Sequence, residues 1–557
     1  MKGIREAVKR AALGASGMLI LAPWVEIWAL DSSKTAAGAN HAAAHAYSTG
    51  AGIRVGIIEA SGGVNTNQTS IDEGGRLIKN LDFLGNYTRI TADPVGVPPF
   101  TTHATRVTDI AASSHGTFTG VAPASHVYVG AVDTDPGIFN AMDWLYRGHG
   151  VAQFNMSLGA GDNDGGANKL ALALDYHMHT YDTLMIKSAG NSGGQVTSPG
   201  DFYNGITVGA LNETFTARAS FSSYLMQGES GTTVNFWPKP EVVAPGVNIN
   251  TQFLGPASGT SYAAPHVSGI VALLQKGTSS TPGLTLGTAG NANHLAIKAI
   301  IMNSARKREI EGPINSYPIA ADLNTTASQA SDGDYLNGST FRVGVSATAP
   351  KTAEWTPSKW SYTNNVFVTD APLDDELGTG AVDALRAVLQ LDGGQQGPGA
   401  VNPIGWDLNT LNMGSPKDYY LNFPTGGTGV FLTVTLTWDR RVSRTEGGEP
   451  DLEFQGDSFT PLALPNLDLQ IFYQGSLYAQ SVGTYNTEHL HIPLIHAGAA
   501  NSYMVRVQPV SNVSNTRYAL AWWGVSNLGN NVVPEPTMVA LLVLGGAILG
   551  RRFWQRK

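Results

Sequence analysis

No cysteine occurs anywhere in the 557 residues, which excludes disulfides, zinc–thiolate sites and cysteine nucleophiles. Charge is sparse as well: Asp, Glu, Lys and Arg make up only 14% of the chain, with a net charge of −9. That sign argues against nucleic acid and anionic membrane surfaces as partners. What is present is core material. Apolar residues reach 42% and there are 65 glycines, the composition of a globular chain with many tight turns rather than a disordered one. The length is too great for one ordinary domain and predicts two or more.

The two ends differ from the middle. Lys2, Arg5, Lys9 and Arg10 precede an apolar stretch from Ala11 to Ala22, the layout of a secretory signal peptide over residues 1–30. The alternative is an amphipathic N-terminal helix of the folded domain. At the other end Val533-Pro534-Glu535-Pro536 leads into an apolar stretch, Met538 to Gly550, closed by Arg551, Arg552, Arg556 and Lys557. Physically this is a short membrane-inserting segment ended by cations that prefer the cytoplasmic side; a buried core helix is the alternative. The order of the three parts over 532–557 resembles the PEP-CTERM sorting signal. That resemblance implies an exported, cell-envelope protein, tethered by its tail, which an exosortase-type enzyme processes and which can be released to the surface or extracellular matrix.

Between the ends, short apolar runs at 53–58, 126–132, 154–158, 184–190, 205–210 and 241–245 read as buried strands. Amphipathic stretches at 134–147 and 167–181 read as helices between them, and 295–307 and 376–391 as later ones. Such alternation predicts an α/β fold with a doubly wound parallel sheet, whose functional residues sit on loops at the carboxyl ends of strands. The α/β domain is expected over 35–392, elaborated by a polar insertion at 308–375. Residues 393–403 read as a linker, and 404–527 as a smaller all-β domain of alternating strands, a sandwich or jelly roll.

One string carries chemistry most clearly. Gly259-Thr260-Ser261 leads into a run with helical spacing, Val267, Ile270, Val271 and Leu274. A serine at the mouth of a helix gains most as a nucleophile, because exposed N–H groups and the positive helix end favour a developing oxyanion. GTSYAAPHVSGIVALL resembles the nucleophile motif of the subtilisin-like serine proteases (subtilases, peptidase S8). The motifs GIIEASGG, THATRVTDIAA with GVAP, FNMSLGAG, SAGNSGG, ASFSSY and KPEVVAPG extend the resemblance in order over roughly 35–390. It implies a serine endopeptidase acting on polypeptides, with Ser261 as nucleophile, Glu59 at the family's aspartate position and a histidine base between them in the chain. His103 and His115 compete for that role. The family runs from its histidine through a helix to GVAP, and Gly120 follows His103 by seventeen residues but His115 by only five. His103 is therefore the expected base and His115 a surface or turn residue. The resemblance also implies Asn191 as oxyanion donor, and Ser157, Leu158 and Gly159 as the strand that pairs with an extended substrate.

Two departures stand out. Glu59 is one methylene longer than aspartate, which moves its oxygens by about 1.5 Å. His103 is followed by Ala-Thr-Arg where the family has Gly-Thr-His. Both leave open a second class of function, an inactive subtilase-derived surface scaffold or adhesion protein. Other readings are weaker. Gly190 to Gly194 fits G-x-S-x-G and resembles the chymotrypsin-type nucleophile loop, but those enzymes are all-β, whereas strands here alternate with helices. In serine-carboxyl proteases a glutamate occupies the position where His103 stands. The pairs His177/His179 and His489/His491 lack carboxylate partners at metal-ligand spacing, and His266 is expected to be packed behind Ser261. No cofactor is expected; structural calcium is conceivable by family resemblance without a clear ligand loop. The motifs begin so soon after residue 30 that no folded inhibitory pro-domain is expected.

Overall fold

A computed structural model of the chain describes residues 44–45, 47–60, 62–65, 71, 77–82, 101–132, 135–159, 167–196, 198–213, 217–224, 239–307, 359–364, 366–423, 429–447, 456–494 and 502–526. The signal and sorting segments expected at 1–30 and 532–557 lie outside the described residues, as do 35–43 and 308–358. Among the described residues, no helix is long and apolar enough to cross a membrane.

The first region is a parallel sheet of seven strands: β1 Arg54–Ala60, β2 Leu77–Asp82, β3 His126–Val132, β4 Gln153–Met156, β5 Leu184–Ser188, β6 Ile206–Leu211 and β7 Val242–Pro245, in the order β2-β3-β1-β4-β5-β6-β7. β4, β5, β6 and β7 are buried along their whole length, as expected for strands covered on both faces. Six of the seven fall where the apolar runs predicted strands; β2 does not correspond to any of those runs. Helices α1 Thr102–Ala112, α2 Asp135–His149, α3 Lys169–Tyr181, α4 Thr260–Lys276 and α5 Asn293–Ser304 follow. α4 lies across β4 to β7, and α2 against β1 and β3. The order reverses at β1, which pairs β3 on one side and β4 on the other. This is the switch point at which open α/β sheets carry their sites.

The helix expected over 376–391 is shorter. It runs only over α6 Ala384–Asp392, capped by the Asp383 side chain accepting from the Arg386 N–H. The preceding residues turn back against β7 instead. Gly378 sits at φ +63°, where a Cβ would stand 2.3 Å from the Pro240 and Glu241 carbonyls. Only glycine fits that approach.

The second region is mostly strands. Residues 404–411, 516–526, 429–438 and 487–493 form an antiparallel four-stranded sheet. A seven-stranded mixed sheet contains 417–421, 503–511, 466–473 and 476–481. Three of its members come from unexpected places. Residues 359–363 and 366–371, within the predicted insertion, join its edge, and 399–401, within the predicted linker, pairs with 417–421.

This region is docked on the first rather than strung from it. Trp406, Val442, Phe459, Ala519 and Ala521 belong to the same apolar cluster as the parallel-sheet core. Two buried polar groupings cross the seam. Arg440 Nε donates to Asp175 Oδ2 at 2.7 Å, beside Asn204 and Asn486. His294 lies between Asp182 (2.8 Å) and Asp439 (2.9 Å).

Candidate active site

The carboxyl ends of three neighbouring strands converge. Glu59 is the penultimate residue of β1, Ser157 directly follows β4, and Asn191 lies three residues beyond β5. α1 and α4 point their amino ends at this edge. Thr101 caps α1 by accepting from the Ala104 N–H at 3.0 Å, which fixes the first turn and His103 within it.

Glu59 is buried, and its Oε2 meets His103 Nδ1 at 2.7 Å, within charge-assisted hydrogen-bond range. The glutamate thus reaches the imidazole from its strand despite the added methylene. Burial lowers the affinity of His103 for a proton, but the charge and hydrogen bond of Glu59 outweigh it and leave the imidazole above its ordinary value; Arg106 pulls the other way. Burial raises the Glu59 carboxyl, and His103 draws it partly back. His115 stands apart: its Nδ1 accepts from the Thr117 and Phe118 N–H groups, as a turn residue does.

Ser261 is the second residue of α4 and is buried to 8% exposure. Its hydroxyl donates to the Ser157 carbonyl at 3.1 Å, and the Ser157 hydroxyl donates to the Ser261 carbonyl at 2.9 Å. The cause is in the sequence. Pro265 lies four residues on, inside the helix, and has no N–H with which to bond the Ser261 carbonyl. That free acceptor is taken by Ser157.

The same face continues downward. Asn155 Nδ2 donates to Ser157 Oγ (2.9 Å), Ser268 Oγ to Asn155 Oδ1 (2.9 Å), and Gln153 Nε2 to the Ser268 carbonyl (3.0 Å). Gln275 Nε2 donates to Gln153 Oε1. A strand period of two (153, 155, 157) here meets a helix spacing of seven (261, 268, 275), the two repeats that keep side chains on one face. Sequence reasoning missed this row, although polar residues alternating in a buried strand were its visible signal.

Asn191 is oriented by its neighbours. Its Oδ1 accepts from the Thr260 N–H (2.8 Å) and hydroxyl (2.9 Å). Because a backbone N–H can only donate, the amide orientation follows, and Nδ2 is left as the available donor. The 219–224 segment holds the loop in place: Ser223 N–H donates to the Gly190 carbonyl at 2.9 Å, and Gly193 N–H to that of Phe221 at 2.7 Å. Leu158 is half-buried and Gly159 exposed, an open strand end next to the serine.

The other histidines singled out in the sequence are occupied elsewhere. Buried His266 meets the Tyr262 carbonyl through Nδ1 at 2.8 Å, and burial pushes it down to about 4. His177 contacts Thr183 and His179 contacts Asp439. His489 and His491 pair with Thr435 and Thr433. Among the described residues, no group of three His, Asp or Glu side chains is placed to hold a metal ion.

A parallel α/β sheet with a carboxylate–imidazole pair and a helix-mouth serine at its switch point defines a class; the sequence comparisons place the chain within it. Residues 50–333 match the model of the subtilase family, peptidase S8, and the chain belongs to that family. It is 32% identical over 237 residues to the thermophilic serine proteinase of Bacillus sp. (strain AK1), covering 40% of this chain and 52% of that one. It is 28% identical over 285 residues to alkaline protease 1 of Aspergillus clavatus, covering 47% and 64%. The chain thus spans about half the length of the curated relatives it matches. A solved structure of proteases from Pseudoalteromonas arctica is similar at 18% identity and a TM-score of 0.39, over 64% of this chain and 95% of that one.

Proposed function

We propose that this chain is an exported serine endopeptidase with a Glu59–His103–Ser261 triad. The observation that carries the proposal is the 2.7 Å contact of Glu59 with His103 Nδ1, which leaves Nε2 as the proton acceptor. In the proposed reaction an extended peptide pairs with Ser157, Leu158 and Gly159. Ser261 Oγ attacks the scissile carbonyl as its proton passes to His103 Nε2. Glu59 holds the imidazole tautomer and stabilises the imidazolium. Asn191 Nδ2 and the Ser261 N–H hold the oxyanion. His103 then protonates the leaving amine, and water, activated by the same base, releases the acyl group.

One observation favours the second reading, an inactive scaffold: the Ser261 hydroxyl donates to Ser157 rather than to His103. Catalytic hydrogen bonds commonly tighten only when substrate binds, and a bound peptide competing for that strand edge frees the hydroxyl. Cleavage of a peptide library by the wild type and Ser261→Ala separates the readings. The enzyme reading expects cleavage by the first alone; a folded wild type that cleaves nothing favours the scaffold.

The wider proposal is of a catalytic domain over 35–392 with a β-sandwich domain over 404–527. A cluster uniting Leu432, Val434 and Leu520 of the four-stranded sheet with Leu467, Leu469 and Val505 of the seven-stranded one supports the sandwich. Export by the 1–30 signal, tethering by 532–557, processing by an exosortase-type enzyme and residence in the cell envelope or matrix rest on the sequence of the two ends.

A further inference from the structure

We propose that Arg106 is a positioning residue of this site, fastening the loop that leads into Ser261 to the helix that carries His103. The inference deepens the proposed function and rests on it for the roles of His103 and Ser261. His103 and Arg106 stand three residues apart on α1 and therefore share a face. Arg106 is only 8% exposed. Its Nη1 donates to the carbonyls of Ile249 and Leu254, both at 3.3 Å, and to that of Gly255. These three acceptors line the inside of one loop, closed by the Ile249–Ala257 hydrogen bonds at 2.8 and 3.1 Å. Two residues beyond the closure comes Gly259, and then the helix mouth.

The guanidinium also lies 5.5 Å from the ring centroid of Tyr262, the residue after Ser261. That ring in turn lies 5.5 Å from the His103 imidazole. Arg106 therefore touches the chain on both sides of Ser261 while belonging to the helix of the base. A buried guanidinium is tolerated only when well partnered, so the loop carbonyls hold the arginine as firmly as it holds them. The family's histidine at this position has neither the reach nor the permanent charge.

A simple loop staple and a positioning residue differ in one readout. The titratable or charged groups facing His103 are Glu59 from β1, Tyr262 from α4 and Arg106 from its own helix. Arg106 opposes Glu59, so removing its charge raises the His103 pKa. The base works in its neutral form, and the acid limb of the rate profile then moves to higher pH.

The test is the rate of labelling by a fluorophosphonate probe across pH, for wild type, Arg106→Met, Arg106→Gln and Arg106→Lys, with circular dichroism confirming the fold. Arg106→Met is expected to label about a hundredfold more slowly, the scale for a misplacement near 1 Å. The loss should lie in the limiting rate rather than the half-saturating probe concentration, with the acid limb displaced upward. Arg106→Lys, which keeps charge and donors, should recover most of the rate. Should Arg106→Met fail to fold, Arg106→Gln is decisive: an upward acid limb supports the proposal, and an unmoved one overturns it. Labelling of a folded Arg106→Met within about twofold of wild type at every pH also overturns it, as does equal slowing of Arg106→Met and Arg106→Lys with no shift. A wild type that takes no probe overturns the catalytic reading beneath; a labelled wild type with indifferent variants overturns this proposal alone.

Discussion

Glu59 supports His103 from below: a carboxylate 1% exposed at the end of a central strand bonds an imidazole whose side chain is 36% exposed, at 2.7 Å. The acceptor is fixed by the sheet, while the imidazole stays partly open to solvent. The strand end, not the side-chain length alone, sets where the oxygen falls, so a glutamate occupies an aspartate's place without losing contact.

That relationship makes shortening the side chain harmful. Glu59→Asp withdraws the oxygens by about 1.5 Å, and kcat/KM for peptide cleavage should fall about a hundredfold. Glu59→Gln keeps the length but not the charge, and should cost more, on the order of ten-thousandfold in kcat. A rate indifferent to Glu59→Ala would show that another group orients the imidazole.

The Asn191 oxygen accepts from Thr260, which leaves its amide nitrogen as the proposed oxyanion donor. Asn191→Asp preserves the acceptor and removes the donor. Its kcat should drop by about a hundredfold to a thousandfold with KM little changed, as for loss of one oxyanion donor. Steady-state kinetics on a single peptide substrate checks the split.

The polar row beneath the serine should be felt in stability. Ser268→Ala leaves the Asn155 oxygen without the donor it has at 2.9 Å. A buried acceptor stripped of its partner costs about 1–3 kcal/mol, read as a lower urea midpoint at unchanged slope. A midpoint equal to wild type would show that the row contributes nothing net.

At the seam, His294 is buried between two carboxylates. Burial lowers it, but the Asp439 charge and hydrogen bonds from both carboxylates outweigh this and raise it to about 10 from 6.5; Asp439 is held well below its ordinary value. A group raised on folding stabilises fully below its unfolded pKa and loses that contribution as pH rises through its folded one. The stability difference between wild type and His294→Gln should therefore be largest near pH 6, about 3 kcal/mol, and shrink between 6.5 and about 10. Urea titrations at several pH values measure it; a difference that grows with pH would contradict the assignment.

Much of the fold was legible in the sequence. Buried strands announce themselves as unbroken apolar runs, and the spacing to GVAP pointed to His103, the histidine that meets Glu59. What stayed hidden depended on long-range pairing. Residues 359–363 and 366–371 look like polar insertion yet complete a sheet edge with partners more than a hundred residues away. Gly378 ended a helix that periodicity extended, because its neighbours are the carbonyls of Pro240 and Glu241, just ahead of β7. The Arg106 contacts needed the 249–257 loop folded back over α1, which no local pattern encodes.

The most direct measurement is peptide mapping of a fluorophosphonate adduct on the folded, full-length chain. The triad account predicts one adduct, on Ser261, absent from Ser261→Ala and formed far more slowly in His103→Ala. No adduct on folded protein, or one that persists in Ser261→Ala, would contradict it.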